Sequence, residues 1–270
     1  ENLFSTQEPL LVNGVIGLVL ALVVGTVVFG GLQRVAKVAV TVLPLMVLLY
    51  MAMTFYLLAS HLDEIPALLA NIVNSAFSAE AAGGGLLGVM LIGISRAAFS
   101  NEAGVGTEVM AHGAARTNEP IREGLVAMLG PVADTLIVCT CTALVILIAG
   151  NWQNPGELSG ITLTSNAFAQ EMGNVGVALL FLVTLILSST TMFTMWYYGA
   201  KCFGFLFGAE VQHHYRWFFV ATVIFGSLVS LDIVFNLISA AYGLMAIPTM
   251  TATLWLAPRA KEAAKAYFTR

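Results

Sequence analysis

Charge is what this sequence has least of. Of 270 residues, 11 are Lys or Arg and 15 are Asp or Glu, 10% in all. Soluble domains usually carry about 25%. With 59% apolar residues and a mean hydropathy of +0.89, the chain reads as an all-α polytopic membrane protein. Its few cations lie scattered between apolar runs, so no basic groove is available and nucleic acid is excluded as a partner. Cysteine is almost as scarce. Cys139, Cys141 and Cys202 are odd in number and lie in or beside apolar segments, which excludes a disulfide scaffold. Cys-Thr-Cys also lacks the spacing of a metal site. A basic n-region is missing from "ENLFSTQEPL", so no signal peptide is expected before the first span. Within the spans no Ser-His-Asp set or metal triad can be assembled, which argues against an enzyme.

What is present is a succession of apolar runs long enough to cross a bilayer, which takes about 20 helical residues. The spans are expected at 10–30, 36–59, a broken segment at 86–116, 124–149, 173–200, 217–234 and 237–256, in one transmembrane domain covering 1–270. A shorter apolar stretch, 64–79, follows Asp63, carries Pro66 in its first turn and stops before the glycines at 83–85; it reads as an interfacial or re-entrant helix. The last span contains no lysine, which excludes a retinal Schiff base there.

The loops set the orientation. Arg34, Lys37, Arg116, Arg122, Lys201, Arg216, Arg259, Lys261, Lys265 and Arg270 fall on one side of a seven-span arrangement. His61, Asp63, Glu64, Glu80, Glu157 and Glu171 fall on the other. Arg96 alone lies inside a segment. The cationic side is expected to be cytoplasmic, with residue 1 outside and the C-terminus inside.

The broken segment is the centre of interest. "LLGVMLIGISRAAF" and "VGTEVMAHGAAR" are each too short to cross alone, and "SNEAGVG" separates them. Ser100 and Asn101 prefer caps to helix interiors, and Gly104 and Gly106 relax the backbone. Such breaks occur at membrane depth where protein or a watery cavity covers the freed backbone, and transporters use them to hold ions and carboxylates. Ser100, Asn101 and Glu102 are candidates to cap the second half-helix; a plain cytoplasmic loop is the alternative. Glu102 and Glu108 should face protein or water, with Arg96 as an available partner, in a structural pair or in a gate on a substrate path. His112, four residues after Glu108, fits a hydrogen-bonded packing role better than a two-ligand metal site.

Two further groups of polar residues lie inside apolar runs. Asp134, in "GPVADTLIVCTCT", suits either an ion or proton network or hydrogen bonds between helices. "LSSTTMFTMWYYGAKC" places Ser188, Ser189, Thr190, Thr191 and Thr194 around more than one face of a helix, as cavity lining or as helix-to-helix bonds. Pro44 marks a kink in the second span, and Asp232 reads as interfacial.

"NEAGVGTEVMAHGAARTNEPIREGLVAMLGPVADTLIVCTCTALVIL" closely resembles the signature region of the alanine or glycine:cation symporter family, the sodium:alanine symporters of bacteria and archaea. "GGLQRVAKVAVTVLPLMVLLY" and the Ser/Thr cluster followed by "WYYGAKC" are similar to two further blocks, in the same order. The chain differs in reading Pro44-Leu45-Met46 where Pro-Phe-Met is usual, in Val40 where the family has Glu, and in a tryptophan displaced by one place, leaving Met195 at its position.

The resemblance implies a LeuT-like fold of inverted repeats, incomplete at the N-terminus because the family's first broken helix, with its Gly-Thr-Gly-Asn element, has no counterpart here. It implies sodium-coupled symport of a small neutral amino acid, alanine or glycine, by alternating access in the complete protein. The alternative is a transport-inactive truncated fragment or the structural half of a split membrane protein. No cofactor is implied beyond Na+ as the coupling ion. The implied partners are the amino acid, Na+, membrane lipid and an N-terminal half, and the expected location is the cytoplasmic membrane. The resemblance carries over Met46 and Thr191 as substrate contacts, and Thr194 of the hydroxyl cluster is a further candidate. Ser100, Asn101, Glu102, Asp134 and Ser188 become a candidate ion-binding or coupling network.

Overall fold

The computed structural model describes residues 9–77, 86–102, 104–153, 156 and 160–269. The glycine stop at 83–85, Glu80, Glu157 and Arg270 lie outside them. All the regular structure among the described residues is helical. In chain order the helices are α1 (Pro9–Val28), α2 (Gly31–Ser60), α3 (Ile65–Ala76), α4 (Leu86–Asn101), α5 (Thr107–His112), α6 (Pro120–Ala149), α7 (Ile161–Phe207), α8 (Tyr215–Leu228) and α9 (Leu231–Phe268). Five of them, α1, α2, α6, α7 and α9, are long and apolar enough to cross a membrane. This is a multi-pass helical membrane protein, and the many exposed Leu, Val, Ile and Phe side chains on those helices are what a lipid-facing surface requires.

Glycine and helix-breaking residues set the boundaries. Gly31 (φ 77) turns the chain between α1 and α2, and Gly150 (φ 69) ends α6. Gly173 departs from helical geometry (φ 62, ψ −152), so α7 is two helices, 161–172 and 174–207, joined at that residue. The turn before the last helix falls at Val229 and Ser230 rather than between 234 and 237. Asp232 therefore lies in the first turn of α9, where the helix dipole favours a negative charge.

The chain forms two compact units, 1–50 with 181–238, and 51–180 with 239–270. In the first, α1 lies against α8. Gly17 meets the Ser227 side chain so closely that a Cβ would have no room, and Phe29 packs edge-on to Trp217 with ring centroids 4.6 Å apart. Val24, Val28, Val35, Phe193, Trp196 and Ala200 form its core. In the second, α3 packs on the last part of α6. His61 at the end of α2 meets Glu171 at 3.5 Å, and Asn151 donates to Asn166 Oδ1 at 3.0 Å.

Candidate functional site

The second unit contains the interrupted helix. α4 stops at Asn101, the backbone passes through positive φ at Glu102 (56), Gly104 (81) and Gly106 (104), and α5 starts at Thr107. Left-handed geometry is open to glycine and costly elsewhere. Glu102 is the one non-glycine residue with positive φ among those described. The turn is closed by a hydrogen bond from the Val105 N–H to the Glu102 carbonyl, 3.1 Å. Space reinforces the choice of residue. A Cβ on Gly106 would stand 2.7 Å from Thr249 Oγ1, and one on Gly104 would stand 3.0 Å from Met250 Sδ.

The freed amides are satisfied from an unexpected side. The N-cap of α5 is Gly106, with no side-chain cap, so Ser100, Asn101 and Glu102 do not cap the second half-helix. Ser100 and Asn101 precede the turn, and Glu102 opens it. Glu108, in the first turn of α5, reaches back instead: the Gly104 N–H donates to its Oε1 at 3.2 Å and the Gly106 N–H to its Oε2 at 2.9 Å. Backbone amides that converge in a turn form a concave anion site, and here the protein's own carboxylate takes two of them, those of Gly104 and Gly106.

Ser100 and Asn101 bond to α6 instead. Ser100 Oγ donates to Asp134 Oδ2, and Asn101 Nδ2 donates to Thr135 Oγ1 at 3.1 Å. Both partners lie in a π-helical stretch of α6, Val132–Cys139, directly after Gly130 and Pro131. Widening a helix to i→i+5 bonds shifts side-chain register and is frequent at functional sites. A proline at 131 provides no N–H to bond backwards, which contributes to the change. The structure thus joins Ser100, Asn101, Asp134 and the adjoining Glu102 in one neighbourhood of the second unit.

Two cavities open beside it. One of about 370 Å³ is lined in part by Asn101, Glu108, His112 and Asp134. The other, about 450 Å³, is lined in part by Glu108, His112, Thr117 and Glu123. His112 Nδ1 lies 2.8 Å from Glu123 Oε1, which ties α5 to α6. One group was not among the sequence candidates. Thr107 is buried, at 4% exposure, and its Oγ1 has no hydrogen-bond partner. A buried polar atom left so costs about 1–3 kcal/mol, and a ligand or water beside the break would remove that cost. "GVGT" carries the only sequence signal, a hydroxyl residue at the restart of a broken helix.

Met46, Ser188, Thr191 and Thr194 belong to the first unit. Met46 is buried. Three hydroxyls of the cluster bond back along α7: Ser188 to the Leu185 carbonyl at 3.1 Å, Thr191 to Leu187 at 2.9 Å and Thr194 to Thr190 at 3.0 Å. Thr190 is the buried member, with its Oγ1 near the Ile186 and Leu187 carbonyls. Thr191 is exposed. Trp196 lies in the core, its Nε1 buried without a partner.

A family model described as the sodium:alanine symporter family matches residues 2–270. The chain is 35% identical over 255 residues to the sodium/alanine symporter AgcS of Methanococcus maripaludis, covering 93% of this chain and 56% of that protein. It is 35% identical over 269 residues to the probable sodium/glutamine symporter GlnT of Bacillus subtilis, covering 99% and 55%. It is also 35% identical over 268 residues to an uncharacterized transporter of Haemophilus influenzae, covering 97% and 58%. The chain therefore spans little more than half the length of the curated relatives it matches. With a helical, multi-pass architecture and a match along nearly its whole length, the chain belongs to the sodium:alanine symporter family.

Proposed function

We propose that this chain is part of a sodium-coupled symporter of a small neutral amino acid, alanine or glycine. The observation that carries the reading is the interrupted helix at 102–106, with the unpaired Thr107 hydroxyl beside it. Irregular backbone inside an apolar helical protein is tolerated where it lines a protein-covered or watery cavity, and transporters place ligands there. The reading takes the fold as LeuT-like inverted repeats in a cytoplasmic membrane, with the C-terminus inside. Met46, Thr191 and Thr194 serve the amino acid; Ser100, Asn101, Glu102 and Asp134 in the second unit, and Ser188 in the first, each serve ion binding or coupling. Sodium favours the outward-facing, substrate-bound state, and occlusion followed by inward opening releases both solutes. No bond is broken. Because the chain covers little more than half of its relatives, this activity is that of the intact protein.

Glutamine is the second substrate reading, favoured by the 35% identity to the probable sodium/glutamine symporter. The test is uptake of radiolabelled alanine, glycine and glutamine into liposomes holding the intact protein, under a sodium gradient, a proton gradient or neither. Alanine or glycine uptake that needs sodium supports the first reading. Uptake of none of the three, from protein shown to be inserted and folded, would sink both.

A further inference from the structure

The last helix touches the broken segment on both sides of its turn. Tyr242 stacks on Phe99, two residues before the end of α4, with ring centroids 4.8 Å apart and planes at 25°. Seven residues later, close to two helical turns and so on the same face, Thr249 reaches the turn itself. Its Oγ1 lies 3.1 Å from the Val105 carbonyl and 2.9 Å from the carbonyl of Met245 in its own helix. Val105 is buried, at 4% exposure, so its carbonyl depends on a protein donor. Thr249 stands where a Cβ on Gly106 would force it to shift, and Met250 stands close enough to Gly104 that a Cβ there would press on its Sδ.

The geometry points to Thr249 as a positioning residue that fixes the 102–106 turn from outside it. The neighbouring threonines show why Thr249 is special. Thr251 Oγ1 bonds to Ile247 O at 2.8 Å and Thr253 Oγ1 to Thr249 O at 2.9 Å, both within α9. Among the described residues, Thr249 alone of the three bonds to another segment, and that segment is the break. Holding the Val105 carbonyl fixes the peptide plane that precedes Gly106, whose N–H donates to Glu108. One hydroxyl on α9 thus sets the orientation of the Gly106 amide that Glu108 holds.

This inference rests on the transport reading only for its functional consequence, and the experiment separates the two. Thr249→Val keeps the β-branched shape and removes the donor; Thr249→Ser keeps the donor; Thr251→Val and Thr253→Val remove hydroxyls that bond only within α9. Hydrogen exchange of the peptide covering 102–108 is measured on the intact protein in detergent or nanodiscs, alongside sodium-driven alanine uptake. Thr249→Val is expected to speed exchange in that peptide roughly 2- to 12-fold, the loss of one hydrogen bond. Thr249→Ser restores the wild-type rate, and the two controls leave it unchanged. In uptake, Thr249→Val raises the half-saturating alanine or sodium concentration by a similar factor. Unchanged exchange in Thr249→Val, or equal acceleration in Thr251→Val, overturns the positioning role. Faster exchange with no alanine transport in any form, wild type included, leaves the positioning role standing and removes the transport reading.

Discussion

Glu108 holds the amides of both Gly104 and Gly106 with the two oxygens of one carboxylate, at 3.2 and 2.9 Å. The carboxylate lies after both amides in the chain, on the half-helix that they precede. The break is therefore stabilised from within α5. Hydrogen bonds to a charged group contribute about 1.5–3 kcal/mol when buried, and Glu108 is only half-buried, so about 1–2 kcal/mol is the appropriate scale. Glu108→Ala should lower the melting temperature in detergent and sharply reduce uptake by the intact protein. Glu108→Gln retains one acceptor oxygen and should fall between. Equal melting of Glu108→Ala and wild type would show that water replaces the carboxylate at no cost.

Ser100 and Asp134 are expected to act as a pair. They are 34 residues apart and bonded directly. A double-mutant cycle on Ser100→Ala and Asp134→Asn isolates their interaction, and pairs in contact show about 0.5–3 kcal/mol of coupling. We expect the double variant to be little worse than Asp134→Asn alone, in stability and in sodium-dependent uptake. Strict additivity would mean that Asp134 acts without Ser100.

The position of the break was legible from Ser100, Asn101, Gly104 and Gly106, because small and capping residues inside an apolar run have a short list of uses. What fills the break was not. A glutamate two residues into a half-helix looks like a dipole-complementing charge, and nothing local says that it turns back onto the preceding amides. The Ser100–Asp134 and Thr249–Val105 bonds join residues 34 and 144 positions apart, and such pairings are set by packing. The π-helical stretch has no compositional mark beyond Gly130 and Pro131. The turn at Val229 and Ser230 was missed for a different reason: the apolar residues continue through it, and only Ser230 and Asp232 announce a helix start.

Gly104 and Gly150 both have positive φ, 81 and 69, but only Gly104 has a neighbour, Met250 Sδ, where a Cβ would go. Gly150→Ala should cost about 1 kcal/mol of left-handed strain and nothing more. Gly104→Ala adds a close contact to the same strain, and Gly104→Val adds a branched side chain. In the intact protein, Gly104→Val should abolish most alanine uptake with membrane insertion unchanged, measured by quantified protein in the bilayer. Uptake as robust in Gly104→Val as in Gly150→Ala would mean that the turn need not keep its shape.

Thr190 and Thr191 separate packing from ligand contact. Thr190 is buried with two carbonyls of its own helix in reach, whereas Thr191 is exposed with one. Thr190→Val should therefore lower the melting temperature with little change in substrate affinity. Thr191→Val should leave melting unchanged and weaken alanine binding, by roughly 2- to 12-fold for one ordinary hydrogen bond. Calorimetry at saturating sodium measures the second effect. If Thr194→Val were damaging while Thr191→Val was silent, the contact would lie one helical turn further on.

Orientation in the membrane rests on ten of eleven cations falling on one side of a seven-span arrangement, including Arg259, Lys261 and Lys265 on the last part of α9. Five helices satisfy length and composition by themselves; α8 has 14 residues and α4 has 16, short of the roughly 20 that a crossing takes. Labelling decides the matter. In the intact protein, Cys139, Cys141 and Cys202 would be replaced and single cysteines placed at Gln153, in the turn after α6, and at Lys265. A membrane-impermeant maleimide applied to right-side-out vesicles should react at Gln153→Cys and reach Lys265→Cys only after permeabilisation. Between those two positions lie α7, α8 and α9, so an odd number of crossings separates them if all three span the bilayer. Reaction of both from outside would mean that one of the three does not cross, and α8, the shortest of them, would be the helix to remove from the count.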